Sequence, residues 1–321
     1  MARRKMISVV VPCYNEENTI SDLYEILTNL FHNELSSYDY EILFSDDHSK
    51  DGTRTIIRAL CAKDPHVKAL FNMANFGFSR NIFSAFRHAK GDCAFLVFGD
   101  LQDPPELLPD FIRKWEEGNL VVLGQKEKSD EGRGISLMRS LYYRIISWLS
   151  DSPQLKECNG YGLYDRKFLD VMNEVEEIQP YLKAVIAEYA PDCVFLPYHH
   201  HKSGRGKSNF NFYRNYDFAM QGITTSTKKL MRMATLLGVI VGLFSVIYAI
   251  SVIVRKLIYG AAFPLGLASI QVGVFLLGGL ILFFIGILGE YVLSINTRTM
   301  RKPRVVIAES LNMDGKKDGT R

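Results

Sequence analysis

Two stretches of this chain, Met233 to Val254 and Ala261 to Gly289, contain no charged residue. A helix rises about 1.5 Å per residue and a bilayer's hydrocarbon core is about 30 Å thick, so each stretch is long enough to cross it. Two buried helices of a soluble domain are the competing reading, but apolar runs of this length seldom occur in soluble folds. The link between them, Arg255 to Gly260, is short enough to impose a hairpin, so both outer flanks emerge on one side. Lys228, Lys229 and Arg232 precede the first run, and Arg298, Arg301, Lys302 and Arg304 follow the second. That basic bias places both flanks in the cytoplasm. The expected location is therefore a membrane crossed twice, with both flanks cytoplasmic.

The overall apolar fraction of 47% hides this division, because the first 230 or so residues have ordinary globular character. A formal charge of +3 is too small to suggest a nucleic-acid partner. The five cysteines, Cys13, Cys61, Cys93, Cys158 and Cys193, show no metal-ligand spacing and read as reduced fillers. Behind the basic N-terminus only a short apolar run precedes Pro12, too little for a secretory signal, so the N-terminal domain is expected to stay in the cytoplasm.

Within that domain, short apolar runs alternate with helix-length amphipathic segments. Ile7–Val11, Glu41–Phe44, Val67–Phe71, Ala94–Phe98 and Leu120–Leu123 are the predicted strands. Near-continuous apolar strands separated by helices predict an α/β fold with a mostly parallel sheet flanked by helices, binding ligands at the carboxyl ends of its strands. Three polar clusters fall at that edge: Pro12 to Glu17, Ser45 to Thr53, and Gly99 to Glu106.

Asp100, Gln102 and Asp103 offer hard oxygen ligands of the kind Mg²⁺ or Mn²⁺ takes alongside phosphate oxygens and water. Asp-x-x-Asp before Pro-Pro-Glu also reads as a turn leading into a helix, with Glu106 in its first turn. No glycine-rich phosphate loop is present, so a cation would have to carry the diphosphate. Asp46 and Asp47 suit a base N–H or a ribose hydroxyl, and Tyr14 suits stacking on or hydrogen bonding with the nucleotide. Asp51 and Thr53 also read as a helix cap.

Together, Val10–Glu16 (VVPCYNE), Asp46–Thr53 (DDHSKDGT), Asn75–Gly77 (NFG) and Asp100–Glu106 (DLQDPPE) resemble glycosyltransferase family 2 in order and spacing. Gly162–Arg166 (GLYDR), the basic Gly204–Phe210 (GRGKSNF) and the two C-terminal runs resemble its polyprenyl-phosphate branch. The resemblance covers about residues 6 to 305. It implies a GT-A fold and an inverting single displacement. The donor would be a nucleotide sugar held near Pro12, Tyr14, Asn15, Glu16, Asp46, Asp47, Asp100 and Gln102. Asp100 and Gln102 match the metal positions, and Asp100 and Asp103 are the candidate catalytic residues, with Asp103 either joining the metal or positioning its loop. There are two departures. Phe98 stands where relatives carry a first metal aspartate, and Asn159-Gly160 stands where relatives often carry an acid.

Arg205, Lys207 and Ser208 are the candidate acceptor-phosphate residues, since Arg binds phosphate with paired donors and Lys adds a point charge. A surface loop drawn to anionic lipid is the alternative. His199, His200 and His201 read mainly as strand or surface residues rather than as metal ligands. Phe212, Tyr216, Ala219 and Ile223 share one helical face that suits either the membrane interface or the soluble domain.

The expected organisation is a catalytic domain over 1–209, an amphipathic segment over 210–232, a membrane hairpin over 233–289 and a basic cytoplasmic segment over 290–321. The expected function is hexose transfer from a UDP-sugar to polyprenyl phosphate, with the bilayer as a further partner and homo-oligomerisation left open. A processive polysaccharide synthase would need more spans and a Gln-x-x-Arg-Trp motif absent here. A catalytically silent scaffold is the third reading, and Phe98 and Gly160 give it its only support.

Overall fold

The computed structural model describes residues 3–126, 158–175, 181–199, 267–299 and 303–313, with single positions between 236 and 258. The five apolar runs form β1 (Met6–Cys13), β2 (Asp39–Asp46), β3 (Val67–Asn72), β4 (Cys93–Leu96) and β5 (Val121–Lys126). Phe98 lies past the end of β4, in the loop that follows. Three short strands complete the sheet: β6 (Gly162–Asp165), β7 (Val194–Tyr198) and β8 (Ile307–Leu311).

The sheet order is β7-β5-β6-β4-β1-β2-β3-β8. β1 runs parallel to β2 and β4, β2 to β3, and β5 to β7. β6 opposes both β4 and β5, and β8 opposes β3. The mostly parallel α/β sheet read from the sequence is therefore the observed one.

Alternation along β1 divides the core. Ile7, Val9 and Val11 face one apolar cluster and Val10 faces the other. The first cluster is closed by α1 (Ile20–Asn33), α2 (Thr53–Lys63) and α4 (Leu108–Glu116) through Leu23, Ile57 and Phe111 once α3 (Phe78–His88) is set aside on the opposite face. α3, α5 (Arg166–Glu174) and α6 (Leu182–Tyr189) close the second through Phe86, Leu169 and Ile186. In α1 the buried Ile20, Leu23, Leu27, Leu30 and Phe31 recur every three to four residues, which gives a 3.6-residue helix one apolar face. All five cysteines are free, and burial pushes the Cys13 and Cys93 thiols well above their usual range.

The chain divides into two compact units, one of Met1–Arg133, Pro153–Asn209 and Met300–Arg321, the other of Gly134–Ser152 and Phe210–Thr299. In the second, α7 (Leu267–Thr299) is a 33-residue helix that continues past Gly289. Counted over the described residues, no helix is long and apolar enough to cross a membrane. The α7 sequence is uncharged from Leu267 to Gly289. The first apolar run is described only at single positions, and the 210–232 segment lies outside the described residues.

β8 falls in the stretch that composition assigns to a basic tail. Its residues alternate between half-buried and exposed, as suits an edge strand, and it covers the open edge of β3. Glu309 pairs with Arg58 at 2.6 Å, and Asn312 Nδ2 donates to the carbonyls of Cys61 and Val67 at 2.7 and 2.8 Å. Asn312→Ala removes both donors and is expected to lower stability of the catalytic unit by about 1–3 kcal/mol, read from urea unfolding. An unchanged midpoint would show that β8 is not tied down by this contact.

Candidate active site

From β1 the chain builds outward through β2 and β3, then returns to place β4 on the other side of β1. This reversal opens a crevice between the carboxyl ends of β1 and β4, where open parallel sheets bind ligands. The backbone is strained there. Among the described residues, Asn15 (φ 57°), His48 (φ 65°) and Leu101 (φ 54°) adopt left-handed conformations, one in each loop after β1, β2 and β4. Such a conformation costs about 1–3 kcal/mol and persists only where surrounding contacts hold it.

For Leu101 the holding contacts lie on both sides. Asp100 Oδ1 accepts from the Gln102 amide at 3.3 Å. Asp103, 1% exposed, accepts from Asn159 Nδ2 at 2.7 Å on one oxygen and from the Tyr198 hydroxyl on the other. Asn159 Oδ1 in turn accepts from the Tyr161 amide, and the Tyr161 hydroxyl donates to the Pro104 carbonyl at 2.5 Å. Burial, reinforced by the Asp103 charge, pushes both phenols well above their ordinary pKa, so they remain donors. Of the two roles open to Asp103, this geometry supports positioning. Asp100 and Gln102 remain half-exposed at the crevice.

The other two loops are tied together. Asn15 N–H donates to Ser49 Oγ at 2.9 Å, Asn15 Oδ1 accepts from the Lys50 amide, and the Glu16 amide donates to Thr53 Oγ1. Thr19 links this loop to the end of β4 by donating to the Gly99 carbonyl at 2.5 Å. Asp46 is fully buried against Arg54 Nε at 2.9 Å. Burial raises its carboxyl pKa, while Ser49 hydrogen bonds and Arg54 pull it down. Asp47 accepts from Asn72 Nδ2 and from the Phe76 and Gly77 amides, so it clamps the loop before α3. The paired aspartates thus frame the crevice from inside. Pro12 is buried within β1, whereas Tyr14 is 41% exposed and open to stacking. Asp51 Oδ1 accepts from the Thr53 amide at 3.1 Å, but the residue at the α2 cap is Gly52, and the Thr53 hydroxyl is taken by the Glu16 amide.

Sequence reasoning missed Lys126. It ends β5 opposite Tyr198 in β7; burial lowers its pKa, and the charges of Asp103 and Asp100 partly offset that. Only the order of the strands brings it there. Asp165, by contrast, pairs with Cys93 at the opposite end of β4, accepts from Trp115 Nε1 and caps α5, which removes it as a proton acceptor at the crevice. His199 follows the buried Tyr198 and is exposed, as strand alternation requires. Arg205, Lys207, Ser208, His200 and His201 lie outside the described residues.

The profile of Glycosyl transferase family 2 matches residues 8–190, which contain every one of these strand-end clusters. The chain belongs to glycosyltransferase family 2. It is 32% identical over 306 residues to a Shigella flexneri protein named SfII prophage-derived bactoprenol glucosyl transferase, covering 95% of this chain and 98% of that one. A prophage bactoprenol glucosyl transferase homolog of Escherichia coli K12 matches at 32% over 94% of this chain and 98% of its own. Among solved structures, glucosyl-3-phosphoglycerate synthase from Mycobacterium tuberculosis, crystallised with Mn²⁺, UDP and glucosyl-3-phosphoglycerate, aligns with a TM-score of 0.48 at 18% identity over 69% of this chain and 78% of that one.

The chain is accordingly a glycosyltransferase. Asp100 and Gln102 offer the crevice a carboxylate and an amide, donors that fit a hard divalent cation completing its shell with phosphate oxygens and water. Among the described residues no three His, Cys, Asp or Glu side chains converge to hold a metal by themselves.

Gly124 tests how tightly this end of the transferase is packed. A Cβ there would come within 2.3 Å of the Tyr161 ring and 2.9 Å of Tyr198, the two tyrosines that hold the Asp103 loop. Gly124→Ala is expected to cost about 1–3 kcal/mol in urea unfolding and to lower kcat in the same variant. Full stability with full turnover would show that the tyrosines do not position the loop.

Proposed function

We propose that this transferase moves a hexose, with UDP-glucose as the foremost donor, onto a polyprenyl phosphate at the cytoplasmic face of a bacterial membrane. The observation that carries this reading is the match to relatives named bactoprenol glucosyl transferase over 95% of the chain, catalytic and apolar segments alike. The apolar character of α7 supports the membrane part. Ile270, Val274, Leu277, Ile281, Ile285 and Leu288 are all exposed along it, a stripe suited to lipid.

The sheet adds a topological argument. β8 follows both apolar runs yet pairs with β3, which precedes them. The two flanks therefore share one side of any membrane between them, and the number of crossings is even. This supports a two-span hairpin with both termini on the side of the catalytic unit.

In the reaction, an acceptor phosphate oxygen bonds to the anomeric carbon as the bond from that carbon to the nucleotide diphosphate breaks. A phosphate monoester has its second pKa near ~6, so at neutral pH the acceptor is mostly dianionic and attacks without losing a proton. The engagement of Asn159 with Asp103, in place of an acid, accords with a reaction that needs no base. Asp100 and Gln102 would hold the divalent cation, Mg²⁺ or Mn²⁺, which when bound supplies charge to the departing diphosphate. Lys126 adds a positive charge on the same side. Arg205 and Lys207 would align the acceptor phosphate and screen its repulsion from the donor.

Full-length protein in lipid nanodiscs, given polyprenyl phosphate and a panel of labelled nucleotide sugars, is expected to form a polyprenyl-phosphate hexose from a UDP donor. Asp100→Ala should reduce turnover by about a hundredfold or more, and Arg205→Ala should raise the requirement for lipid far more than that for donor. Transfer from no donor would overturn the reading, and equal effects of Arg205→Ala on both substrates would remove it from the acceptor site.

A further inference from the structure

β8 is short and lies at the edge of the sheet, yet its first residues meet the loops of the crevice. It runs antiparallel to β3, so Leu311 pairs with Ala69 near the start of β3 and Ile307 pairs with Asn72 at its carboxyl end. Between these pairs the register shifts. Phe71 faces Glu309 and Asn72 faces Ile307, which leaves Ala308 as the extra residue of a bulge. The bulge exchanges the faces of the strand: Leu311 packs against the first apolar cluster, and Ile307, an even number of residues away, packs against the second, which α3 closes. Just before the strand, the Val306 carbonyl accepts from the Met73 amide at 2.9 Å.

Asn72, fully buried, joins this end of β8 to the crevice. Its side-chain amide donates to Asp47 Oδ1 and to Asn81 Oδ1, both at 3.0 Å. Asp47 in turn accepts from the Phe76 and Gly77 amides at 2.9 and 2.8 Å. The Asn72 carbonyl accepts from Arg54 Nη2 at 3.2 Å, and Arg54 Nε pairs with Asp46 at 2.9 Å. An unbroken set of contacts thus runs from β8 through Asn72 to both aspartates at the end of β2.

We propose that β8 is a positioning strand of the nucleotide site: by fixing the backbone of Asn72 and Met73 it holds Asp47, and through Asp47 the loop before α3, in the arrangement that binds a nucleoside diphosphate. This rests on the donor reading above. Ile307 anchors the strand there, because the bulge turns its side chain into the cluster beside α3. The other end of β8 has no such part. Asn312 ties it to the carbonyls of Cys61 and Val67, at the start of β3 and away from the crevice. A strand that merely covers the edge acts through stability, and does so equally from either end. A positioning strand acts on nucleotide affinity from the Ile307 end alone.

The experiment compares full-length wild-type protein with Ile307→Ala, Ile307→Val and Asn312→Ala in detergent. UDP is titrated in the presence of Mn²⁺ by calorimetry, and hydrogen–deuterium exchange is followed across residues 72–77 without ligand. Ile307→Ala is expected to weaken UDP binding by about fivefold or more and to speed exchange at Phe76 and Gly77. Ile307→Val should bind UDP as the wild type does, and Asn312→Ala should lose stability with its UDP affinity unchanged. Where Ile307→Ala does not fold, Glu309→Gln loosens β8 at its Arg58 contact without removing apolar packing, with the same direction of change expected. Wild-type UDP affinity in the folded Ile307→Ala protein would overturn the proposal and leave the donor reading intact. An equal loss of affinity in Asn312→Ala would overturn it too, by reducing β8 to a stabilising cover. Absence of UDP binding by the wild-type protein would overturn the donor reading and this proposal with it.

Discussion

A buried carboxylate, Asp103, with the Tyr198 hydroxyl on one oxygen and the Asn159 amide on the other, is the contact on which the catalytic end of the sheet depends. Its partners lie 95 and 56 residues away in the chain, so a single side chain joins the loop after β4 to the segment before β6 and to the end of β7. Hydrogen bonds to a charged group contribute about 1.5–3 kcal/mol each, enough to offset the left-handed backbone of Leu101. The strained loop can then present Asp100 and Gln102 to the crevice without needing a ligand to hold it. On the far side, Asp47 does the same for the loop before α3 with two backbone amides and the Asn72 side chain. Buried acids build the frame, and Asp100 stays half-exposed at the crevice.

Much of this was legible in the sequence. β1 to β5 declare themselves as apolar runs because they are buried on both faces, and their polar sequels mark the binding edge. What stayed hidden was hidden for physical reasons. β6, β7 and β8 are only four or five residues long, and β8 alternates like any polar edge, so hydropathy does not single them out. Asp46, Asp47, Asp100 and Asp103 look alike as letters. Only the fold reveals that Asp46, Asp47 and Asp103 are inside while Asp100 is half-exposed. Lys126 escaped notice because its partners belong to strands that are neighbours in space and distant in the chain.

The closing strand also changes how the two units are understood. A chain that leaves its catalytic unit, runs through two apolar segments and returns to the same sheet binds its own β3 edge with β8. That contact protects the β3 edge from pairing with other chains.

The central claim is that the loops after β1, β2 and β4 form one donor site held ready by buried hydrogen bonds. Hydrogen–deuterium exchange of the full-length protein with and without UDP and Mn²⁺ measures this most directly. The account expects added protection in the segments containing Tyr14, His48 and Leu101, with the opposite end of the sheet around Asp92 and Asp165 unchanged. Protection at that opposite end, with none in the three loops, would contradict it.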